Sequence, residues 1–240
     1  MSTAAFFMAV GGVGWAATEL PPASIDEVHL RDGAVSSAKI RYRAVTGDKL
    51  GADALQGVLP QWRNVNGHLV GPGAYLSKAS LSSANLSGLT LGPANLSGAS
   101  LGNANLFQAS LRGADLTEAS LRGANLSSVV ADSASFRYAR MAGARLDRGR
   151  FAVARLDHAD LTNASLVGVD FGGANLSYVK FAGATVGATG APVDLTGATL
   201  TGAQLRSARF VSVVGTRIVG RPLDLPAGWR LAGGTLSRVP

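Results

Sequence analysis

Residues 94–118 read ANLSG ASLGN ANLFQ ASLRG ADLTE, which is five consecutive units of five residues with Leu at the third position of each. The same spacing extends in both directions, and apolar residues occupy twenty-three consecutive central positions from Leu76 to Val186. Sixteen of these are Leu and four are Phe, and eighteen of the residues two places earlier are Ala. A period of five matches neither a helix nor a flat strand. It predicts a solenoid, in which each short unit buries its apolar side chain against copies of itself.

The units resemble the pentapeptide-repeat family, whose consensus is A(D/N)LXX. The resemblance covers residues 74–188 and resumes at Leu195, Leu200, Leu205 and Phe210. It implies an all-β fold, a right-handed quadrilateral β-helix with about 20 residues in each coil. It also implies that the central residue and the small residue two places before it point inward, while the other three face solvent.

The inward positions alternate large and small side chains, as close packing of a narrow interior requires. Ala131 is a small central residue, but Val129 replaces the usual Ala two places earlier, so the two volumes are exchanged. This compensation supports the inward assignment of both positions.

The five-residue phase changes once, because Val186 and Leu195 are nine positions apart instead of ten. We expect a one-residue deletion here, absorbed in the turn at Gly190, Ala191 and Pro192. The repeats then divide into a main block at 74–188, a phase slip at 189–194 and a shorter block at 195–224.

Two segments outside the repeats match each other, residues 59–73 and residues 225–240. Both contain Leu-Pro and then Trp-Arg, with a Gly five places after the Trp and a Leu seven places after it. Asn66-Gly67 and Gly233-Gly234 are favoured in two-residue hairpin turns. Since a solenoid exposes unpaired backbone at both ends, we predict that these segments are hairpin caps with a Trp lid. The alternative is that Trp62 or Trp229 belongs to a ligand site.

Residues 1–18 carry no side-chain charge and include an apolar run. Gly14-Trp15-Ala16 fits the small-x-small rule, so we interpret residues 1–16 as a secretory signal peptide cut before Ala17, although the usual basic start is missing. A disordered or buried apolar N-terminus and a single membrane anchor are the alternatives. The interpretation predicts a secreted or cell-surface protein; without a signal peptide the protein would be cytoplasmic.

Residues 17–58 again place apolar residues at every fifth position, from Ile25 to Leu55. The segment resembles a lead region found after the signal peptide in many secreted actinobacterial proteins. It is either a degenerate extra coil or a loosely ordered stalk.

The composition argues against catalysis. The chain has 240 residues and no Cys, which excludes disulfides, thiolate catalysis and cysteine metal sites. Its three histidines show no metal-ligand spacing, and the sequence has no G-x-S-x-G or G-K-[ST] motif. We therefore predict no enzyme activity, no cofactor and no metal site.

Six arginines lie between Arg137 and Arg155, and a basic stripe is typical of polyanion contact. However, these residues span about one full coil, so they point to different sides. Residues one coil apart should be vertical neighbours, and four Arg–Asp pairs with this spacing predict ion pairs between coils. The four are Arg112–Asp132, Arg137–Asp157, Arg140–Asp160 and Arg150–Asp170.

An outward aromatic column is predicted by the same coil spacing, which also separates Tyr138 from His158 and His158 from Tyr178. Such columns are often purely structural. If the protein has a partner site, we expect it at this column beside the arginines that have no partner at the coil spacing. The candidate interaction surface comprises Tyr138, His158, Tyr178, Arg145, Arg148, Arg155 and Phe107.

The expected function is a non-catalytic structural or protein-interaction scaffold. Its partner would be an unknown protein or cell-envelope component, and the mature chain, a monomer or a homodimer, would have no integral membrane span. The alternative is a binder of anionic polymers, nucleic acid or an envelope polyanion, through the unpaired arginines and the basic C-terminal part. Some pentapeptide-repeat proteins are acidic DNA mimics that bind type II topoisomerase, but residues 61–240 carry seventeen basic and nine acidic residues, the opposite sign.

Overall fold

The computed structural model describes residues 61–239, so the predicted signal peptide and lead segment lie outside the described residues. The described part consists of strands, isolated β-bridges and turns. Among residues 61–239 there is no helix of the length and hydrophobicity needed to cross a bilayer. The strands are β1 (Arg63–Val65), β2 (His68–Val70), β3 (Ser165–Leu166), β4 (Thr185–Val186), β5 (Val193–Asp194), β6 (Arg209–Phe210), β7 (Val213–Val214), β8 (Trp229–Ala232) and β9 (Thr235–Arg238).

Parallel β-bridges join each coil to the next at a constant sequence interval, from Tyr75 with Asn95 to Asp160 with Lys180. The bridges recur at every fifth position, so each coil has four sides. At one such bridge, the Leu96 N–H donates to the Asp115 carbonyl oxygen at 2.7 Å, and the Asp115 N–H donates back to the preceding coil at 2.9 Å. Short parallel pairs of the same kind join β3 to β4, β4 to β6, and β5 to β7. The predicted β-helix is therefore confirmed.

The interior of this coil stack is filled by the two inward positions of each unit. From Leu76 to Val186 the central residues are at most 3% exposed. Val129 and Ala131 are both fully buried, as the exchange of their volumes requires. Each buried Leu or Phe contributes roughly 1.5–3 kcal/mol to stability through removal of apolar surface from water. The stack is thus stabilised along its whole length by the same repeated contact.

Each unit turns its corner through a β-turn that starts at the central residue. The Ala79 N–H, for example, donates to the Leu76 carbonyl oxygen at 3.0 Å. We call the residue two places after the central one the corner residue. From Lys78 to Gly183, twenty-one of twenty-two corner residues have φ between 55° and 70°; the exception is Pro93, which follows a cis peptide bond. Positive φ at the third turn residue is the geometry of a type II turn.

The predicted one-residue deletion is wrong, because the coil that contains the phase slip is longer than the others. Ser165 pairs with Thr185 at the regular interval, but Asp170 pairs with Asp194, four places beyond the Gly190 that the regular interval would give. Residues 187–192 fill a corner that is two residues long in the other units. A loss of one residue and a gain of four give the same phase in a five-residue repeat, so only the contacts between coils distinguish them.

Both predicted hairpins are present. Strands β1 and β2 pair antiparallel across Asn66-Gly67, and β8 and β9 pair across Gly233-Gly234. All four turn residues have positive φ, as type I′ turns require.

The hairpins pack on the ends of the coil stack. The Trp62 ring lies against Gly71, where a Cβ atom would come within 2.5 Å of the indole. At the other end, the edge of Trp229 meets Phe210 with ring centroids 5.3 Å apart. The Leu236 N–H donates to the Gly215 carbonyl oxygen at 3.2 Å, so the C-terminal hairpin also covers backbone of the last coil.

Candidate interaction surface

Two of the four predicted ion pairs between coils form. Arg112 Nη2 lies 3.3 Å from Asp132 Oδ2, and Arg137 Nε donates to Asp157 Oδ2 at 2.8 Å. The hydrogen bond to Asp157, and then its charge, raises the pKa of Arg137 above its usual range. Because Asp157 is buried, this pair is part of the packed corner.

The ion pairs predicted for Arg140–Asp160 and Arg150–Asp170 are absent within residues 61–239, although both pairs are β-bridged as expected. Each of these two aspartates accepts a hydrogen bond from the backbone N–H two places later, at 3.0 Å for Asp160 and 2.8 Å for Asp170. This Asx turn directs the carboxylate toward its own corner. The prediction was wrong because a local backbone donor competes with the arginine on the neighbouring coil.

Arg150 instead reaches back to Asp132, with Nη2 donating to Oδ2 at 3.0 Å. The same oxygen is 3.3 Å from Arg112 on the other side. One carboxylate oxygen therefore holds two guanidinium groups from different coils.

Arg145 is not free, contrary to the expectation from coil spacing. Its Nη2 lies 3.4 Å from Asp147 Oδ2, and the other oxygen of Asp147 accepts a 2.6 Å hydrogen bond from Ser165 Oγ. The coil interval does not indicate Asp147 as a partner, because Asp147 follows Arg145 by only two places. Arg148 and Arg155 have no carboxylate within 4.0 Å in the described part of the chain, so they remain candidates for anion contact.

The aromatic column is a continuous stack of rings. The ring centroids of Tyr138 and His158 are 4.7 Å apart with planes at 9°, and those of His158 and Tyr178 are 4.8 Å apart at 11°. These distances equal the ordinary spacing of paired strands, so the column follows directly from coil stacking. Tyr138 is 46% exposed and Tyr178 is 50% exposed.

The ring faces of the column are largely covered. His158 lies between the two tyrosines, and the Tyr178 ring lies against Gly202, where a Cβ would come within 2.5 Å of the ring. The guanidinium of Arg137 lies 5.5 Å from the Tyr138 ring centroid. The column therefore presents ring edges and tyrosine hydroxyl groups to solvent more than ring faces.

The seven candidate residues divide between two sides of the coil stack. Arg155 bridges Ser135 and Asn175, which places it on the same side as the aromatic column. The side with Arg145, Arg148 and Phe107 lies two sides further along each coil. In a four-sided coil these two sides are opposite, so a single flat partner cannot contact both groups. Of the candidate arginines, only Arg155 accompanies the column.

The described residues contain no cluster of three or more His, Asp or Glu side chains that could hold a metal ion. Some polar side chains at the bridge positions bond between coils, as in the column formed by Asn85, Asn105 and Asn125. There, the amide of Asn125 donates to Asn105 at 3.2 Å, and that of Asn105 donates to Asn85 at 3.5 Å. Their outward side chains are thus ordered before any partner binds.

A stack of coils with paired inward side chains and outward columns in register defines a repeat protein of the β-solenoid class. The family model for pentapeptide repeats matches eight copies in this chain, over residues 72–98, 94–130, 114–151 and 154–186. The repeat block at residues 72–186 therefore consists of pentapeptide repeats.

Solved structures of pentapeptide-repeat proteins are similar to this chain. HetL, involved in heterocyst differentiation regulation in the cyanobacterium Nostoc sp., is 25% identical over 69% of this chain and 86% of its own, with a TM-score of 0.40. Full-length QnrB1, a plasmid-mediated fluoroquinolone resistance protein, is 18% identical over 54% of this chain and 83% of its own, with a TM-score of 0.32. A protein of the Arabidopsis thaliana thylakoid lumen is 28% identical over 43% of this chain and 65% of its own, with a TM-score of 0.24. No curated protein matches the sequence.

Proposed function

We propose that this protein is a non-catalytic, exported scaffold that binds a protein partner along its aromatic column. The observation that carries the proposal is the half-exposed stack of Tyr138, His158 and Tyr178. Tyrosine is enriched at protein interfaces, because it combines a large apolar ring with a hydroxyl group. The stacked rings are already held in place, so binding would cost little further side-chain entropy.

Charged side chains beside the aromatic column would form the polar rim of this interface. Arg137 is held by Asp157, while Arg155 on the same side has no carboxylate partner in residues 61–239. A partner with a carboxylate near the column could pair with Arg155 without breaking an existing ion pair. Phe107, on the opposite side, would lie outside this interface.

Site-specific photo-crosslinking in the source cells tests the proposal. A benzophenone amino acid at Tyr138 should give one discrete crosslinked protein, and the same amino acid at Phe107 should not. Replacing Tyr178 with Ala in the Tyr138-labelled chain should abolish that product by disrupting the stack. If both positions gave the same products, or Tyr138 gave none, the column would not be the binding site.

Export is supported by the apolar residues 1–16 and is tested by N-terminal sequencing of the mature chain after cell fractionation. A chain that begins at Ala17 outside the cytoplasm supports the proposal. An intact Met1 in the cytosolic fraction contradicts it.

The second candidate function is binding of an anionic polymer, favoured by arginines in the middle of the stack that have no carboxylate partner among residues 61–239, such as Arg148 and Arg155. Because these residues lie on opposite sides, they support only weak contact with one polymer chain. Binding at low salt that falls steeply as salt rises would favour this function. No measurable binding at low salt would exclude it.

A further inference from the structure

The last coil and the C-terminal hairpin carry a large excess of exposed positive charge. Residues 205–239 contain six exposed arginines and a single carboxylate, that of Asp224. Asp224 lies 3.8 Å from Arg206, and the other five have no carboxylate within 4.0 Å among residues 61–239. The arginines are Arg206, Arg209, Arg217, Arg221, Arg230 and Arg238.

The same end exposes aliphatic side chains. Leu223 is 71% exposed and Val219 is 57% exposed, and Val214 and Val239 are each 48% exposed. These are four of the nine exposed large hydrophobic side chains in the described part of the chain, and all four lie within 214–239. Aliphatic and basic side chains therefore alternate along the last coil, at Val214, Arg217, Val219, Arg221 and Leu223.

The coil and the hairpin form one continuous end. The Ile218 N–H donates to the Gly234 carbonyl oxygen at 2.9 Å, beside Arg217. Arg221 and Leu231, one from the coil and one from the hairpin, line the same open cavity. The arginines and the exposed aliphatic residues thus belong to a single structural unit, which we call the basic end (residues 205–239).

We propose that the basic end docks on an anionic lipid surface. An anionic leaflet attracts arginine side chains, and exposed aliphatic side chains enter the boundary between headgroups and acyl chains. A single-stranded nucleic acid would stack its bases on aromatic side chains, but no aromatic side chain is exposed among residues 205–239. The combination of charge and aliphatic surface therefore fits a bilayer better than a soluble polyanion. The site is independent of the proposed function, because the aromatic column lies on earlier coils.

The absence of Cys from the sequence allows a direct test in the full-length chain. A Leu223→Cys variant carries an environment-sensitive fluorophore and is mixed with phosphatidylcholine vesicles, with or without phosphatidylglycerol. Emission should shift to the blue with the mixed vesicles only, and high salt should reverse the shift. The same fluorophore at Ser100→Cys, on an exposed position of an early coil, should not respond. The fluorophore reports only its own surroundings. A blue shift at position 223 without one at position 100 would therefore not be expected from membrane contact by residues 1–60.

A matched pair of double variants tests the role of charge. Arg217→Asn with Arg221→Ser should weaken vesicle binding about 25-fold, from about fivefold for each arginine near an anionic surface. Arg122→Asn with Arg140→Ser removes the same charge from the middle of the stack, at two exposed positions outside both proposed binding sites, and should leave the affinity unchanged.

Three results would overturn the proposal. The first is a silent label at position 223, or an equal response at position 100. The second is equal weakening by both double variants, which would indicate a net-charge effect. The third is a response at position 223 to single-stranded DNA but not to mixed vesicles, which would assign the basic end to nucleic acid.

Discussion

At the corners of the coils, single residues hold a backbone conformation that their side chains disfavour. Val153 is the clearest case, because a β-branched residue there has φ of 58° while its side chain is 64% exposed. Such a residue is an outlier in the left-handed region. We expect Val153→Gly to stabilise the protein by about 0.5–1 kcal/mol, since little buried contact is lost and the strain is relieved. A thermal melt should show a midpoint higher by about 2 °C.

The control for Val153 is Val219→Gly, at an exposed β-bridged position that has no positive φ. There the same substitution should lower the midpoint, because glycine gains freedom in the unfolded chain. If both variants lowered the midpoint, corner strain would not be significant at Val153.

At the scale of single residues, the sequence predicts which side chains are buried but not all of their polar partners. The inward positions follow from the resemblance to pentapeptide repeats, and the alternation of large and small apolar side chains at those positions supports them. Ion pairs are less predictable, since the long arginine side chain reaches acceptors on several units. Asp160 and Asp170 bond to their own corners, and Arg150 reaches Asp132 instead.

Among the elements, we expect the enlarged corner at residues 187–192 to be dispensable for folding of the stack. Ala188 and Ala191 pair across Thr189-Gly190 in a small antiparallel turn. Deleting residues 189–192, with Ala188→Gly to supply a corner glycine, should restore a coil of regular length and leave the protein folded. Circular dichroism should show an unchanged β-spectrum, and the thermal midpoint should stay close to that of the parent chain, because surface insertions contribute little to stability.

A four-residue deletion in a regular coil is the matched control for this corner. Deleting residues 147–150 removes the same length but shifts the five-residue phase, so outward residues would replace inward ones in every later unit. This variant should unfold or aggregate. If deleting 189–192 were as damaging, the corner would be a required part of the stack.

This corner also marks the limit of prediction at the element scale. The hairpins could be located from Asn66-Gly67 and Gly233-Gly234, since few other residue pairs suit a two-residue turn with positive φ at both positions. The length of the coil at the phase slip could not, because the sequence period is blind to any change that is a multiple of five. The candidate surface was wrong for a different reason: it joined Phe107 to the aromatic column, although the coil interval already places them on opposite sides.

At the scale of the whole stack of described coils, the C-terminal hairpin covers backbone of the last coil that could otherwise pair with another molecule. Leu236→Asp should release the C-terminal hairpin, because Leu236 is buried in the cap and a buried unpaired carboxylate is costly. The uncovered bridge positions of the last coil should then cause self-association, as exposed strand edges do. Light scattering during size-exclusion chromatography should show mass that rises with concentration.

Thr235→Asp is the control for the cap, because it introduces the same charge at the neighbouring exposed position of β9. It should elute like the parent chain. A Leu236→Asp variant that became protease-sensitive in the hairpin yet stayed monomeric would contradict a protective role for the cap.

The pairing of each coil with only its immediate neighbours has a mechanical consequence. Tension on the C-terminus would load one row of four bridges at a time, so the stack would unzip coil by coil. Each regular coil would lengthen the chain by ~70 Å, and the coil with the extra corner residues by ~85 Å. That one longer step would act as a position marker in an extension trace, revealing from which end the molecule comes apart.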